Sequence, residues 1–510
     1  MHMNKDSVAH QILPMDEHNT RLRDEVHPPD WKNPKPEGRY NMVVIGGGSA
    51  GLVTAAGAAG LGAKVALIER NLLGGDCLNH GCVPSKAMIR SARAAADARR
   101  AEDLGIDING EVRPDFGRVM ERMRRLRAGI APHDSAERFS SLGIDVFLGE
   151  GRFVAPDAIE VDGARLEFSR ACIATGARPV SPPIDGLEEA GYLSNETVFS
   201  LTALPRRLAV IGSGPIGCEL AQAFVRLGSR VTVIEMAPQI LPREDRDAAE
   251  VVINRMAREG VDFVLESKVA RAQKTEDGIR LVLESKAGED TIEVDRVLVG
   301  VGRAPNVQNL GLEAAGVRFD ERSGVEVDAR LRTSNKRIFA AGDVCSNYKF
   351  THAADAMARI VIQNALFFGR SRADKLVMPW CTFTDPEIAH VGMYQDDAER
   401  AGISTDTITV DLAEVDRAIL DGDAGLLKIL LRMGSDEILG ATLVASHAGE
   451  TISEITAAMT NKLGLRKLAG VIHPYPTQAE AIKKAADAYN RQRLTPRVKR
   501  LFERIMAWRR

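Results

Sequence analysis

The sequence predicts an α/β fold in which one strand–turn–helix–strand unit is used twice. Three observations predict it. A short apolar strand runs into a glycine-rich turn at residues 46–51 and again at 212–217. Each copy continues through a helical stretch into a second strand, and each second strand ends on an acid. At 510 residues the chain is also too long for a single hydrophobic core, so about three domains are expected.

Taken in order, residues 1–39 are polar and proline-containing and hold four histidines, His2, His10, His18 and His27, without a recognisable ligand spacing. They read as a polar arm or partly ordered extension with no metal site. The folded part starts near Tyr40. Tyr40–Ile45 has the apolar run of a buried strand, Gly46-Gly47-Gly48-Ser49-Ala50-Gly51 turns the chain into an Ala-rich helix, and a strand over 64–68 ends at Glu69. A strand over 208–211, the turn Gly212-Ser213-Gly214-Pro215-Ile216-Gly217, a helix and the strand Arg230–Ile234 ending at Glu235 repeat the pattern 166 residues later without a gap.

In both copies the acid lies 23 residues after the first glycine, the full context of a Rossmann-like dinucleotide-binding unit rather than a lone glycine motif. Gly46 and Gly212 make the tight turn, Gly48 and Gly214 let the backbone approach a pyrophosphate, and Gly51 and Gly217 permit close helix packing. Each helix start offers unpaired N–H groups and a positive dipole end to phosphates. Glu69 and Glu235 are placed to accept from ribose hydroxyls. Two such sites imply two dinucleotides with hydride passing between them. A carboxylate at the ribose 2′-hydroxyl favours NADH at the second site, although Arg230 and Arg243 are near enough in sequence to keep NADPH open.

Composition excludes several classes. With 45% hydrophobic and 27% charged residues the chain has the makings of real cores, and a net charge of -3 gives no field of one sign for nucleic acid or anionic lipid. No apolar stretch approaches ~18 residues and no secretory pattern opens the sequence. The expectation is a small-molecule or metal-ion partner, no nucleic acid, no membrane and a cytoplasmic location.

Six cysteines are too few and too scattered for a disulfide framework. Cys172, Cys218 and Cys345 read as small buried hydrophobes, and Cys381 as either that or a second reactive thiol. Cys77 and Cys82 stand apart, in the run Gly74-Gly75-Asp76-Cys77-Leu78-Asn79-His80-Gly81-Cys82-Val83-Pro84-Ser85-Lys86. On a regular helix residues five apart sit beyond the ~4.4–6.8 Å Cα separation of a disulfide. Gly81 and the leading glycines let the backbone distort enough to close it. A helix start and the nearby Lys86 favour thiolate, so the pair is expected to be redox-active.

That run, together with Ala174-Thr175-Gly176, Gly302-Arg303-Ala304-Pro305-Asn306, Ala340-Ala341-Gly342-Asp343 and Phe383-Thr384-Asp385-Pro386-Glu387, resembles the flavoprotein disulfide reductases. This is the pyridine nucleotide-disulfide oxidoreductase family that includes dihydrolipoamide dehydrogenase and mercuric reductase, and the resemblance covers about residues 40 to 490. It implies an FAD-binding domain over 40–185 and 306–375, interrupted by an NAD(P)-binding domain over 186–305, then an α+β dimerisation domain over 376–510 of a homodimer. FAD would be held by Gly46, Gly48, Gly51, Glu69, Thr175, Gly176 and Asp343, and NADH or NADPH by Gly212, Gly214, Gly217, Glu235 and Gly302. The resemblance also places Lys86, paired with Glu219, beside the flavin N5. It makes Cys82 the charge-transfer thiol and Cys77 the interchange thiol.

The chain departs from its relatives at 473–480. In dihydrolipoamide dehydrogenase the matching segment presents a histidine, oriented by a glutamate five residues later, to the partner subunit's cysteines. Counting back from Glu480 reaches Tyr475 instead. A tyrosine with a reference pKa of ~10 is a poor base near neutral pH, and mercuric reductases resemble this chain better there. Their C-terminal cysteine pair is nevertheless missing, because no cysteine follows Cys381. The acceptor expected is mercuric-reductase-like, with other metals, thiol compounds, quinones and disulfides open, and His80 and His473 are candidates to move protons. The alternatives are a dihydrolipoamide dehydrogenase-like thiol/disulfide oxidoreductase and, from another class, a redox-sensing flavoprotein switch.

Overall fold

The structure is a computed structural model that describes residues 12–510, and these divide into two compact units, 12–238 with 261–375, and 239–260 with 376–510. His2 and His10 lie outside the described residues.

The first unit is built on a seven-stranded sheet. Its centre is β1 (Tyr40–Ile45), which pairs in parallel with β2 (Val65–Glu69) on one side and β6 (Ala164–Ile173) on the other, with Val44 opposite both Leu67 and Cys172. β3 (Ile144–Leu148) extends the sheet beyond β2, and Ile338–Ala340 joins β6 in parallel. Covered on both faces, these strands read as continuous apolar runs instead of alternating ones. The antiparallel β4 (Gly151–Ala155) and β5 (Ala158–Val161) complete the path. The helix α2 (Ser49–Gly60) makes the crossover from β1 to β2. The second copy is a four-stranded parallel sheet in the order Val261–Val264, Arg230–Ile234, Arg207–Ile211, Arg296–Val299, with the helix Pro215–Leu227 as its first crossover.

Residues 12–39 are more ordered than an arm or partly ordered extension. They contain α1 (Glu17–Val26), N-capped by Asp16, whose carboxylate accepts from Asn19 N at 2.9 Å. Ile12, Leu22 and Val26 are fully buried. Only two apolar residues, four apart, mark the buried face of a ten-residue helix, and that is too little period to register in the sequence. Farther on, Asn33 exchanges hydrogen bonds with Leu148 on the outer strand β3, donating to its carbonyl at 3.0 Å and accepting from its N–H at 2.8 Å. That covers a sheet edge which would otherwise be open.

The second unit is a five-stranded antiparallel sheet in the order Pro379–Thr382, Glu387–Gly392, Ile438–Ala445, Leu426–Arg432, Thr405–Asp411. The helices Ala448–Thr460 and Glu480–Gln492 pack on it. The helix Arg246–Arg258, which connects the parallel strands Arg230–Ile234 and Val261–Val264, falls in this unit and packs on the strands Glu387–Gly392 and Ile438–Ala445. No helix of the described residues is long and apolar enough to cross a membrane.

Candidate active site

The cysteine loop is two helices with a break between them. α3 (Gly75–Asn79) carries Cys77, the backbone breaks at Gly81, and α4 (Cys82–Arg99) starts on Cys82 itself. A Cβ on Gly81 would lie 2.9 Å from Asp76 O, so only glycine lets the second helix begin this close to the first. The break answers the geometric objection to a pair five apart. The loop is tied down from inside: the Asn79 side chain donates to Leu73 O at 3.0 Å and to Gly75 O at 2.9 Å.

Both cysteines are thiols and their sulfurs share a hydrogen bond. The sharing is uneven. The hydrogen bond from Cys77, joined by one from Thr351 and by the Lys86 charge, overcomes the cost of burial and lowers the Cys82 pKa to about 6. Cys77 is pushed up by that hydrogen bond, then by burial and the Cys82 charge, with the Asp134 carboxylate adding to it. The pair therefore loses its first proton from Cys82 and keeps the one on Cys77. Thr351, whose Oγ1 lies 3.5 Å from Cys82 Sγ, opens the helix Thr351–Leu366.

Lys86 lies four residues after Cys82 on α4 and so on the same helix face. Its Nζ is 2.7 Å from Glu219 Oε2, and the Glu219 carboxylate, on the helix Pro215–Leu227, is buried. The structure thus brings together Cys77, Cys82, Lys86 and Glu219.

The two glycine turns fit a dinucleotide. Gly46 and Gly212 have φ of +104° and +96°, and a Cβ on Gly51 or Gly217 would strike the carbonyl of Gly46 or Gly212 at 1.7 and 2.1 Å. At the middle position the surroundings are open: a Cβ on Gly48 meets only Gly75 Cα at 3.7 Å, and one on Gly214 meets nothing within 4 Å. Neither helix start has a side-chain cap, so the N–H groups remain for a phosphate. Glu69 accepts from Gly47 N at 2.6 Å and Asn71 N at 2.7 Å. Glu235 accepts from Ser213 N at 2.9 Å, Ser213 Oγ at 2.7 Å and Ala237 N at 2.9 Å; burial opposes its charge, but these bonds hold its pKa below the usual carboxylate value. Both acids are oriented at the strand tips by the turns they serve.

Thr175 and Asn306 lock their two segments together, Thr175 Oγ1 donating to Asn306 O at 2.7 Å and Asn306 Nδ2 to Thr175 O at 2.9 Å. Gly176 and Gly302 both have positive φ, +69° and +125°, on either side of that lock. Burial raises the pKa of Asp343, and Arg303 Nε stands 3.6 Å from its carboxylate. Arg303 also pairs with Asp76 beside Cys77, and its buried Nε has no hydrogen-bond partner.

Tyr475 and Glu480 lie in the second unit. Tyr475 is 72% exposed and donates its hydroxyl to Asp416 Oδ2 at 2.7 Å, which raises its pKa. Asp416, and not Glu480, orients it. Glu480 begins the helix Glu480–Gln492 with Oε1 3.5 Å from Lys484 Nζ and a buried Oε2 without a partner. His473 places Nε2 2.9 Å from Glu454 Oε2. His80 is buried, and burial, aided by the Arg127 charge, drops its pKa to about 4, so the ring is neutral and a poor base near neutral pH. Burial pushes Cys172 up to about 12 and raises Cys345 as well, in keeping with packing roles.

One buried chain of contacts behind the loop escapes any reading of the sequence. Arg127, on α5 (Phe116–Ile130), is 1% exposed, donates to Asn79 O at 2.6 Å and to Asn19 Oδ1 at 2.7 Å. Asn19, on α1, donates in turn to Ile12 O at 3.0 Å and Pro14 O at 2.7 Å. The N-terminal segment is thereby joined through one guanidinium to the residue midway between the two cysteines.

Comparison with known proteins gives two family matches, "Pyridine nucleotide-disulphide oxidoreductase" over residues 40–358 and its dimerisation domain over residues 378–486. A mercuric reductase from Acidithiobacillus ferrooxidans is 37% identical over 478 residues, covering 91% of this chain and 86% of that one. A dihydrolipoyl dehydrogenase from Thermus scotoductus is 34% identical over 460 residues, covering 89% and 98%. Among solved structures, the Cu(II) complex of the HOCl-induced flavoprotein disulfide reductase RclA from Escherichia coli aligns with a TM-score of 0.78 at 30% identity, over 87% of this chain and 98% of that one.

Proposed function

The chain belongs to the pyridine nucleotide-disulphide oxidoreductase family, and on that premise we propose that it is an FAD-dependent enzyme that uses NADH to reduce a metal ion through its Cys77/Cys82 pair, in the manner of a mercuric reductase. The observation that carries the reading is the placement of Cys77 and Cys82 on either side of the Gly81 break with Thr351 and the Lys86–Glu219 pair beside them, surroundings that favour Cys82 as the thiolate and Cys77 as the thiol. One sulfur is charged at neutral pH, and the other delivers its proton and its ligand atom only when the acceptor arrives. A soft cation is the acceptor that best uses two such sulfurs.

FAD in the first glycine turn would supply the two-electron relay between the nicotinamide and the cysteines. Glu69, Thr175, Gly176 and Asp343 would hold it. The Lys86 ammonium, held by the buried Glu219, stabilises the Cys82 thiolate from four residues away, with the Glu219 charge partly opposing it. Glu235 favours NADH: Arg230 starts the strand that Glu235 follows, roughly 16 Å away at strand rise, too far to serve a 2′-phosphate. The active unit would be a homodimer formed by the matched dimerisation domain, with Tyr475 and Glu480 presented to the partner. Tyr475, its pKa raised further by Asp416, would serve as a hydrogen-bond donor and not as a base, which favours a metal ion over lipoamide.

The test is anaerobic titration of the holoenzyme with NADH, then with mercuric ion, cupric ion, lipoamide, glutathione disulfide and a quinone. Fastest reoxidation by a metal ion is expected, with Cys82→Ser abolishing that turnover while the flavin is still reduced. Rapid lipoamide turnover would overturn the metal-ion reading. Reduction with no acceptor above background would instead favour the redox switch.

A further inference from the structure

The last helix of the chain, Pro496–Trp508, buries none of its residues. It is well made all the same: Thr495 caps it through Val498 N, and Pro496 occupies the first turn. Its side chains are sorted by face. Val498, Leu501, Phe502, Ile505, Met506 and Trp508 recur at three- and four-residue spacing and fill roughly 160° of the helix surface, while Arg497, Lys499, Arg500, Glu503 and Arg504 take the opposite side. Trp508 at the helix end is 87% exposed.

The charge is as uneven as the polarity. Residues 491–510 hold eight arginines and lysines against Glu503 alone, a local +7 in a chain whose net charge is -3. The helix also lies beyond the matched dimerisation domain, which ends at residue 486. A bare apolar face alone would not name its occupant. Here the basic residues flank that face along its whole length, so the complementary surface is apolar at its centre and anionic at its margin. A lipid leaflet with acidic headgroups has that layering, with acyl chains for Phe502, Ile505 and Trp508 and phosphates for the arginines. At 13 residues, about 20 Å long, and with four cations, the helix is too short and too charged to span a bilayer.

We propose that Pro496–Trp508 is an interfacial anchor that seats the protein reversibly on an anionic lipid bilayer. The inference is independent of the acceptor assigned above. It is tested by sedimenting the full-length holoprotein with vesicles of phosphatidylcholine, alone or with about one-third phosphatidylglycerol. Binding is expected only to the anionic vesicles, and at least about tenfold weaker in half-molar salt. Phe502→Glu with Trp508→Glu should abolish it, and neutralising Arg497, Lys499, Arg500 and Arg504 to Gln should weaken it at least about tenfold. NADH-dependent turnover in solution should stay unchanged in both variants. Absence of binding, or equal binding to neutral vesicles, would overturn the proposal. So would a variant that turns a dimer into a monomer on sedimentation velocity, because the face would then be covered by a second copy.

Discussion

The segments that flank the matched family regions, residues 12–39 on one side and 491–510 on the other, are opposites. The first is polar yet integrated: Asn19 is fully buried, Asn33 covers the edge of β3, and Val26 O accepts from Leu73 N at 3.1 Å beside the cysteine loop. The second is amphipathic yet contributes nothing to the protein's own core. Polarity therefore does not say which segment is structural. A polar segment becomes part of the interior when its buried donors and acceptors find partners: Asn19 bonds through both Nδ2 and Oδ1, and Arg127 through both terminal nitrogens, with its Nε left unmatched. An apolar stripe stays outside when no complementary face of its own unit is offered to it.

Mutation can break or sharpen this contrast. The largest effect is expected for Arg127→Met, which keeps the stem but strands Asn19 Oδ1 and Asn79 O in the interior. The loss should be about 3–5 kcal/mol, read as a lowered denaturant midpoint of the first unit. Asn19→Ala should cost about 2–3 kcal/mol, and in a double-mutant cycle with Arg127→Met the two losses should fall short of additive by about 1 kcal/mol or more. Strict additivity would show that the N-terminal segment is not coupled to the guanidinium.

The same chain of contacts should be felt at the thiols. Below a pH of about 6 Cys82 is protonated and inert, and above it the thiolate dominates. In the reduced protein its alkylation by iodoacetamide should therefore rise with pH and level off above about 6. Asn19→Ala, by loosening the loop that holds Cys77 against Cys82, should move the midpoint upward toward an ordinary thiol. Removing residues 496–510 should leave it in place. That truncation is also the smallest expected stability effect, within about 0.5 kcal/mol by thermal or denaturant unfolding, because no side chain of the helix is buried.

The architecture was legible where chemistry is local. The strands Tyr40–Ile45 and Arg230–Ile234 fall where the apolar runs place them, and the strand before Glu69 is displaced by one residue, to Val65–Glu69. Glycine turns announce themselves because steric demands act between neighbours, and so does the pairing potential of Cys77 and Cys82 around Gly81. The supports of the site were not legible. Thr351 is 269 residues from Cys82, and Arg127 is 108 residues from Asn19 and 48 from Asn79. Such contacts leave no period in a sequence. Asp416 as the partner of Tyr475, 59 residues away, was hidden for the same reason. Net charge misled differently: a whole-chain value of -3 averages away a segment at +7, so the case against an anionic surface holds for the bulk of the chain but not for its last helix.

That helix also makes surface attachment a readout of assembly. A homodimer would carry two of them, and once the first has engaged, the second meets the surface at a local concentration on the order of millimolar. Two individually weak contacts then hold as one strong one, whereas a monomer with a single helix would come and go. Residence on the bilayer would thus rise steeply with protein concentration near the dimer dissociation constant, and a dilute preparation would lose the surface before it lost its chemistry.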